Sequence, residues 1–393
     1  MIAPADAMLA GLGGALAGLA FVLSLGLSGL ARRWAPRWGF IDRPGGHKSH
    51  QSPTPLGGGV AIWLTTLMVL LLGALALRLT VDGLPPPVAR YAAGLWLRAP
   101  ELGLILGLAS LIMVMGLIDD RFGLPWQLRL GVQMILATVL VTAGVRVTLF
   151  WPFTHPVVGG TLSVLWIVAL TNAFNMLDNM DGLAASVGLI AAGLFAAAQL
   201  VVGSLFVPAV LVVLVGALGG FLVHNRRPAR LFMGDAGSNF LGFVLGALTI
   251  AGTYYRYEPS HSRFSVLAPL LVMAVPLYDM TSVVVIRLRA GRSPFRGDRS
   301  HFSHRLVERG LTPTQAVRTI DLVTLAGGLG ALLLHRLNAA GACVVVAQTL
   351  CLLGVVALLE LSRTRPEPGH AEAKNVSDSI SGSPPDRGTG GAP

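Results

Sequence analysis

"ELGLILGLASLIMVMGLIDD", Glu101–Asp120, is an apolar run that stops on two adjacent carboxylates. From Leu102 to Ile118 it carries no charge and no proline, so it reads as a helix able to cross most of a hydrocarbon core about 30 Å thick. Ten similar runs recur, and the set predicted as spans is 7–31, 56–79, 101–118, 128–144, 160–174, 182–203, 205–224, 238–253, 264–286, 319–335 and 340–361. Composition agrees, with 53% hydrophobic and only 12% charged residues against about 25% charged in soluble domains. The expectation is an all-α polytopic membrane bundle of about eleven helices. The first run lacks a basic region before it and an evident cleavage site, so it reads as a retained helix. Cys343 and Cys351 both fall in the last run, which implies no disulfide framework.

Alternating sides along these runs separates two sets of loops. One set, at 32–55, 119–127, 175–181, 225–237 and 287–318, holds most of the Lys and Arg, including Arg32, Arg33, Arg226, Arg227 and Arg230. By the positive-inside rule that set is cytoplasmic, with the N-terminus outside and the C-terminus inside. The net charge of +10 is then explained by topology and anionic lipid head groups, and no nucleic-acid motif accompanies it. One transmembrane domain is expected over 1–362. The polar, Pro-, Gly- and Ser-rich residues 363–393 are expected to form a disordered cytoplasmic tail.

The chain has only nineteen Asp and Glu, and Asp119, Asp120, Asp178, Asp181, Asp235 and Asp298 all fall in or beside the loops assigned to the cytoplasm from Lys and Arg alone. Any one of them is explained as a helix cap. Gathered at one face with Asn, Arg and His, they suit a hard divalent cation and phosphate oxygens.

Three stretches carry this reading. In "TNAFNMLDNMDGLA", Thr171–Ala184, the residues Asn172, Asn175, Asp178 and Asp181 recur every three positions. On an unbroken helix the ends of such a series point opposite ways, so one shared pocket requires the helix to end near Asp178–Gly182. In "RLFMGDAGSNFLG", Arg230–Gly242, Asp235 offers a hard oxygen, Phe232 offers a ring to a base, and Ser238 or Asn239 is expected to cap the next helix. "RSPFRGDRSHFSHRLVERG", Arg292–Gly310, packs five arginines around His301 and His304. With no Cys or third His, and so much positive charge, it favours phosphate over zinc.

These motifs in this order, from "DRPGGHKSHQSPTPLGGG" (Asp42–Gly59) to "DRSHFSHRL" (Asp298–Leu306), resemble the polyprenyl-phosphate N-acetylhexosamine-1-phosphate transferase family. The resemblance implies transfer of a sugar 1-phosphate, GlcNAc 1-phosphate as first choice, from a UDP-N-acetylhexosamine to polyprenyl (undecaprenyl) phosphate in the bilayer. UMP is released, and synthesis of a cell-envelope polysaccharide begins. It further implies Mg²⁺, with Mn²⁺ as the alternative, and a bacterial inner-membrane enzyme whose site faces the cytoplasm; a homodimer is left open.

Carried over by position, Asp235 would be the Mg²⁺ ligand with Asn175 near the metal, and Asp119 and Asp120 the catalytic acidic pair. Arg129 would meet phosphate, Lys48, Asp178, Asp181 and Phe232 would hold the nucleotide, and His301, His304 and Arg305 would hold the sugar diphosphate. Two positions depart from the family's pattern. Asn179 stands where Gly is usual between the two acids, and Ser303 stands where a His is common. The second departure favours the hexosamine-phosphate branch over the phospho-N-acetylmuramoyl-pentapeptide transferases. A secondary transporter is the rival from another class, kept open by Asp279 within the ninth run.

Overall fold

The computed structural model describes residues 4–42, 53–83, 86–148, 154–252, 262–295 and 298–361. Its helices are α1 (Pro4–Trp34), α2 (Gly58–Thr80), α3 (Pro86–Leu97), α4 (Ala99–Phe122), α5 (Trp126–Thr142), α6 (Pro156–Leu177), α7 (Leu183–Val201), α8 (Phe206–Asn225), α9 (Gly234–Ala251), α10 (Ala268–Val272), α11 (Ala274–Arg289), α12 (Phe302–Glu308), α13 (Pro313–Leu333) and α14 (Ala339–Leu361). A two-residue antiparallel pair, Ile41–Asp42 with Thr54–Pro55, is the only sheet among the described residues. Lys48 and the tail 363–393 lie outside the described residues.

Among the described residues, eight helices are long and apolar enough to cross a membrane, or nine if the bent pair Arg263–Val272 and Ala274–Arg289 is one span. This is a polytopic helical membrane protein. The lower count than the expected eleven has a local cause. α5 is only 17 residues long and α9 only 18, and both carry polar side chains that turn inward, Arg129 and Gln133 on one, Asp235, Ser238 and Asn239 on the other. The expected span 264–286 is not one straight helix, because it bends by 57° at Met273. Pro276 sits in the first turn of α11, where its missing N–H costs least. The short helix α3 occupies a segment read as a loop from sequence.

α9 is the axis of the bundle, with Ala236 through Thr249 all buried. α2, α4 and α6 pack around it. Gly116 makes the α4 contact possible: a Cβ there would lie 2.4 Å from the Asp235 carbonyl oxygen, closer than any real side chain tolerates. On another side, the backbone of 55–59 pairs with 232–233. Phe232 N–H donates to Pro55 O (2.9 Å), and Gly58 and Gly59 N–H donate to Phe232 O and Met233 O (both 2.9 Å). These contacts seat the first turn of α9 against the ends of α2 and α4.

Candidate active site

Helix α6 stops at Leu177, and Asp178 is its C-cap with φ −77° and ψ 49°. Gly182, at φ +83°, starts α7. The break required for Asn175, Asp178 and Asp181 to serve one site is therefore present, and glycine supplies the left-handed residue. Asn225, buried at the end of α8, locks this turn to the next motif by accepting from Gly182 N–H (3.0 Å) and donating to Leu231 O (2.9 Å).

The first turn of α9 exposes backbone N–H groups that need acceptors. The expectation that Ser238 or Asn239 caps it is corrected, because the helix begins at Gly234 and the acceptors come from other helices. Asp120 takes Asp235 N–H (2.8 Å) and Ala236 N–H (3.1 Å), and Asp178 takes Gly234 N–H. The positive end of the α9 dipole is thus occupied by the protein's own carboxylates. Ser238 and Asn239 instead donate back to Gly234 O (3.0 Å) and Asp235 O (2.8 Å).

Around this turn the acids converge. Asp119, buried, accepts from Leu124 N–H (2.7 Å) and from Arg129 Nη1 (2.7 Å). The same Arg129 nitrogen lies 3.4 Å from Asp235 Oδ2. Asp235 Oδ1 accepts from Asn175 Nδ2 (2.8 Å), which also reaches Ser238 Oγ (3.1 Å). A chain of amides, Asn172 to Gln133 (2.6 Å) and Gln133 to Asn239 (3.2 Å), backs the cluster. Burial, then the negative charges of Asp235 and Asp181, push the Asp178 carboxyl up to about 7 against the opposing Gly234 hydrogen bond.

The second wall comes from α12. His301 Nδ1 lies 2.8 Å from Asp279 Oδ2, and Phe302 N–H donates to Asp279 Oδ1 (3.0 Å). Asp279 therefore holds a histidine and caps a helix. Ser303, fully buried, donates to Asn179 Oδ1 (2.6 Å), so the two positions that depart from the family's pattern touch each other. His304 is pulled down to about 4 by burial, then by the positive charges of His301 and Arg299. Burial opposes ionisation of Asp298, yet hydrogen bonds from Arg287 and Ser300 hold it well below the usual carboxylate range.

Asp119, Asp120, Arg129, Asn175, Asp178 and Asp235 are brought together, with Asp181 alongside accepting Ala229 N–H (3.2 Å). Phe232 borders them through its backbone. Arg305 points elsewhere: its guanidinium meets Ser300 O (2.7 Å), Ser282 Oγ (3.0 Å) and Glu360 (2.9 Å), which ties α12 to α11 and α14. Sequence reasoning missed Gln133 and Asn225, and it left Asp279 open between a transporter site, a structural hydrogen bond and an approach to the cytoplasmic site. A lone polar residue in an apolar run was the available signal for Gln133 and Asp279, whereas Asn225 stands between His224 and Arg226 and offered none.

Among the described residues, no three acidic, His or Cys side chains form a ready-made cation cage. The donor set still fits a hard cation. Asp119 and Asp235 share the Arg129 guanidinium while Asp120 and Asp178 sit on the same turn of α9, so oxygen donors outnumber the cation, and Mg²⁺ is usually bound by one or two carboxylates with waters and substrate phosphates completing the shell.

Residues 102–253 match the family model described as "Glycosyl transferase family 4". The chain is 36% identical to the decaprenyl-phosphate N-acetylglucosaminephosphotransferase of Mycolicibacterium smegmatis, over 78% of this chain and 79% of that protein. It is 30% identical to the probable undecaprenyl-phosphate N-acetylglucosaminyl 1-phosphate transferase of Bacillus subtilis, over 80% and 84%. The undecaprenyl-phosphate alpha-N-acetylglucosaminyl 1-phosphate transferase of Escherichia coli is 28% identical, over 76% and 77%.

Proposed function

Because the chain belongs to glycosyl transferase family 4, we propose that it transfers N-acetylglucosamine 1-phosphate from UDP-GlcNAc to a polyprenyl phosphate such as undecaprenyl phosphate, releasing UMP. The relatives' names support the reaction class. The observation that carries the assignment to this site is the meeting of Asp120 and Asp178 on the first turn of α9, beside Asp235, Asn175 and Arg129.

In the proposed reaction an oxygen of the lipid phosphate attacks the β-phosphorus of the donor, and the bond from that phosphorus to the bridging oxygen of UMP breaks. Arg129 neutralises anionic oxygens at the reacting end. His301, oriented by Asp279, and neutral His304 donate to the sugar diphosphate, while Asp181, Phe232 and Lys48 border the nucleotide. Asp235, with Asn175 beside it, would hold Mg²⁺. That ion would supply charge neutralisation between the two phosphates. Both Asp120 oxygens already accept backbone N–H groups, which favours direct attack over a covalent intermediate on that residue and makes Asp120 a positioning group for α9.

The site is proposed to face the bacterial cytoplasm, with eleven crossings, the N-terminus outside and the C-terminus inside. Support comes from the Lys and Arg distribution and from alternation. The start of α5, the end of α6, the start of α9 and the end of α14 all touch the site end of the bundle, so α5 and α9 each run from that end to the other. The test is formation of lipid-linked sugar diphosphate by the purified full-length protein in lipid nanodiscs, across a panel of UDP-sugars. Product should require polyprenyl phosphate and a divalent cation and vanish in Asp235→Asn. Equal turnover in excess chelator would defeat the proposed metal role.

A further inference from the structure

A cavity of about 590 Å³ opens at the site end of the bundle between α7, α8 and α13, behind the Asp178–Gly182 turn. Four arginines line it. Arg226, Arg227 and Arg230 come from the end of α8 and the connection to α9, and Arg318 comes from the second turn of α13. Among the described residues, none of these guanidiniums makes an ion pair. The acids in the same wall are two, Asp181 and Asp321. Asp181 accepts Ala229 N–H, and Asp321 accepts Ser186 Oγ (2.6 Å). Even with both ionised, four cations against two anions leave the cavity positive.

A solvated basic loop accounts for Arg226, Arg227 and Arg230 taken alone. It does not account for Arg318, which arrives from a helix distant in sequence and lines the same cavity, nor for a volume within the range of small-molecule sites. Bringing four like charges around one concavity is unfavourable unless an anion shares it. Arginine's planar fork suits phosphate oxygens.

We infer that this cavity binds a phosphate-bearing ligand through Arg226, Arg227, Arg230 and Arg318, on the far side of the turn from Asp119, Asp120 and Asp235 and sharing only Asp181 with the residues proposed to border the nucleotide. α7, α8 and α13 are all long and apolar enough to cross the membrane, and Val223 at the cavity edge is 40% exposed, so the head group of an anionic phospholipid is the favoured source. A soluble diphosphate offers the same chemistry. Occupancy would pin the Asp178–Gly182 turn from behind, which gives lipid composition a route to the site without contact with the reacting groups.

The experiment uses full-length protein in nanodiscs of phosphatidylcholine with or without phosphatidylglycerol. Native mass spectrometry counts retained phosphatidylglycerol for wild type, Arg227→Gln/Arg318→Gln and Arg227→Lys/Arg318→Lys. One basic residue near an anionic surface is worth about fivefold in affinity, so the Gln pair should lower retention by roughly twenty-five-fold and the Lys pair should keep most of it. A second arm measures the thermal shift caused by inorganic diphosphate in neutral lipid. If the Gln pair loses that shift while lipid retention is unchanged, the site stands and its ligand is soluble. If neither readout differs between wild type and the Gln pair, the inference is overturned. Arg318→Gln alone is read the same way if the pair does not fold. Transfer activity in neutral lipid should be the same in all variants, so failure here leaves the transferase proposal untouched.

Discussion

The first turn of α9 and the helix α12 both deliver charged groups to the same end of the bundle, and they are held in opposite ways. α9 is fixed by backbone: Gly116 admits its carbonyl, residues 55–59 pair with the strand-like entry at 232–233, and carboxylates take its N–H groups. α12 is fixed by side chains, through Asp279 to His301 and Phe302, Ser303 to Asn179, and Arg305 to Glu360. Backbone seating resists displacement because main chain has no alternative rotamer. Side-chain docking is more open to single substitutions, because truncating one partner removes the contact that seats the segment. An acid wall seated by backbone beside a wall docked by side chains suits the proposed transfer, in which the first would hold the ion and the second would meet the bulky donor.

The largest effect should come from breaking the rigid side. Gly116→Val should abolish transfer and lower Tm, since overpacking against backbone costs about 1–3 kcal/mol and displaces Asp235. Gly107→Val on the same helix meets nothing within 4 Å and should be nearly silent in both assays. Next, Asp120→Asn keeps one acceptor but faces an amide N–H with another donor; a loss of about 2 kcal/mol in transition-state stabilisation, roughly thirtyfold in kcat, is expected from steady-state kinetics. An unchanged kcat would show that the cap is dispensable.

On the wall docked by side chains, Asp279→Asn should lower kcat by about tenfold with little change in expression, because His301 loses the carboxylate that orients its ring. Asn179→Ala and Ser303→Ala should be milder still, and coupled. A double-mutant cycle on kcat/KM should give an interaction energy of about 1 kcal/mol, whereas additive losses would mean that their hydrogen bond does not position α12.

The smallest effect concerns pH. His304, ordinarily near 6.5, is held down to about 4, so the folded site favours its neutral form. Its contribution is complete above 6.5 and is lost as pH falls through about 4. His304→Gln should therefore leave the acid limb of the rate profile unmoved between about pH 5 and 7. A shift of that limb would show that His304 titrates there.

Much of this was legible from residue order. Runs of apolar residues marked the helices, and the gathering of Asp119, Asp120, Asp178 and Asp235 at one face followed from topology, because acids beside spans are costly away from water or a cation. The break after Leu177 followed from helical phase. The caps of α9 were not legible, since they come from carboxylates more than fifty residues away in sequence, and capping rules see only local neighbours. The surroundings of Arg305 were hidden for a related reason. Its charge advertised phosphate, while its partner Glu360 sits at the far end of the final helix, a contact that only packing creates.

The central claim, that the acid wall serves transfer of a sugar phosphate and not of a sugar alone, is tested most directly with UDP-GlcNAc labelled in its β-phosphate, supplied with polyprenyl phosphate to the full-length protein. The label should appear in the lipid with unlabelled UMP released, and Asp235→Asn should show neither. Labelled UDP released beside an unlabelled lipid-linked sugar would contradict the account.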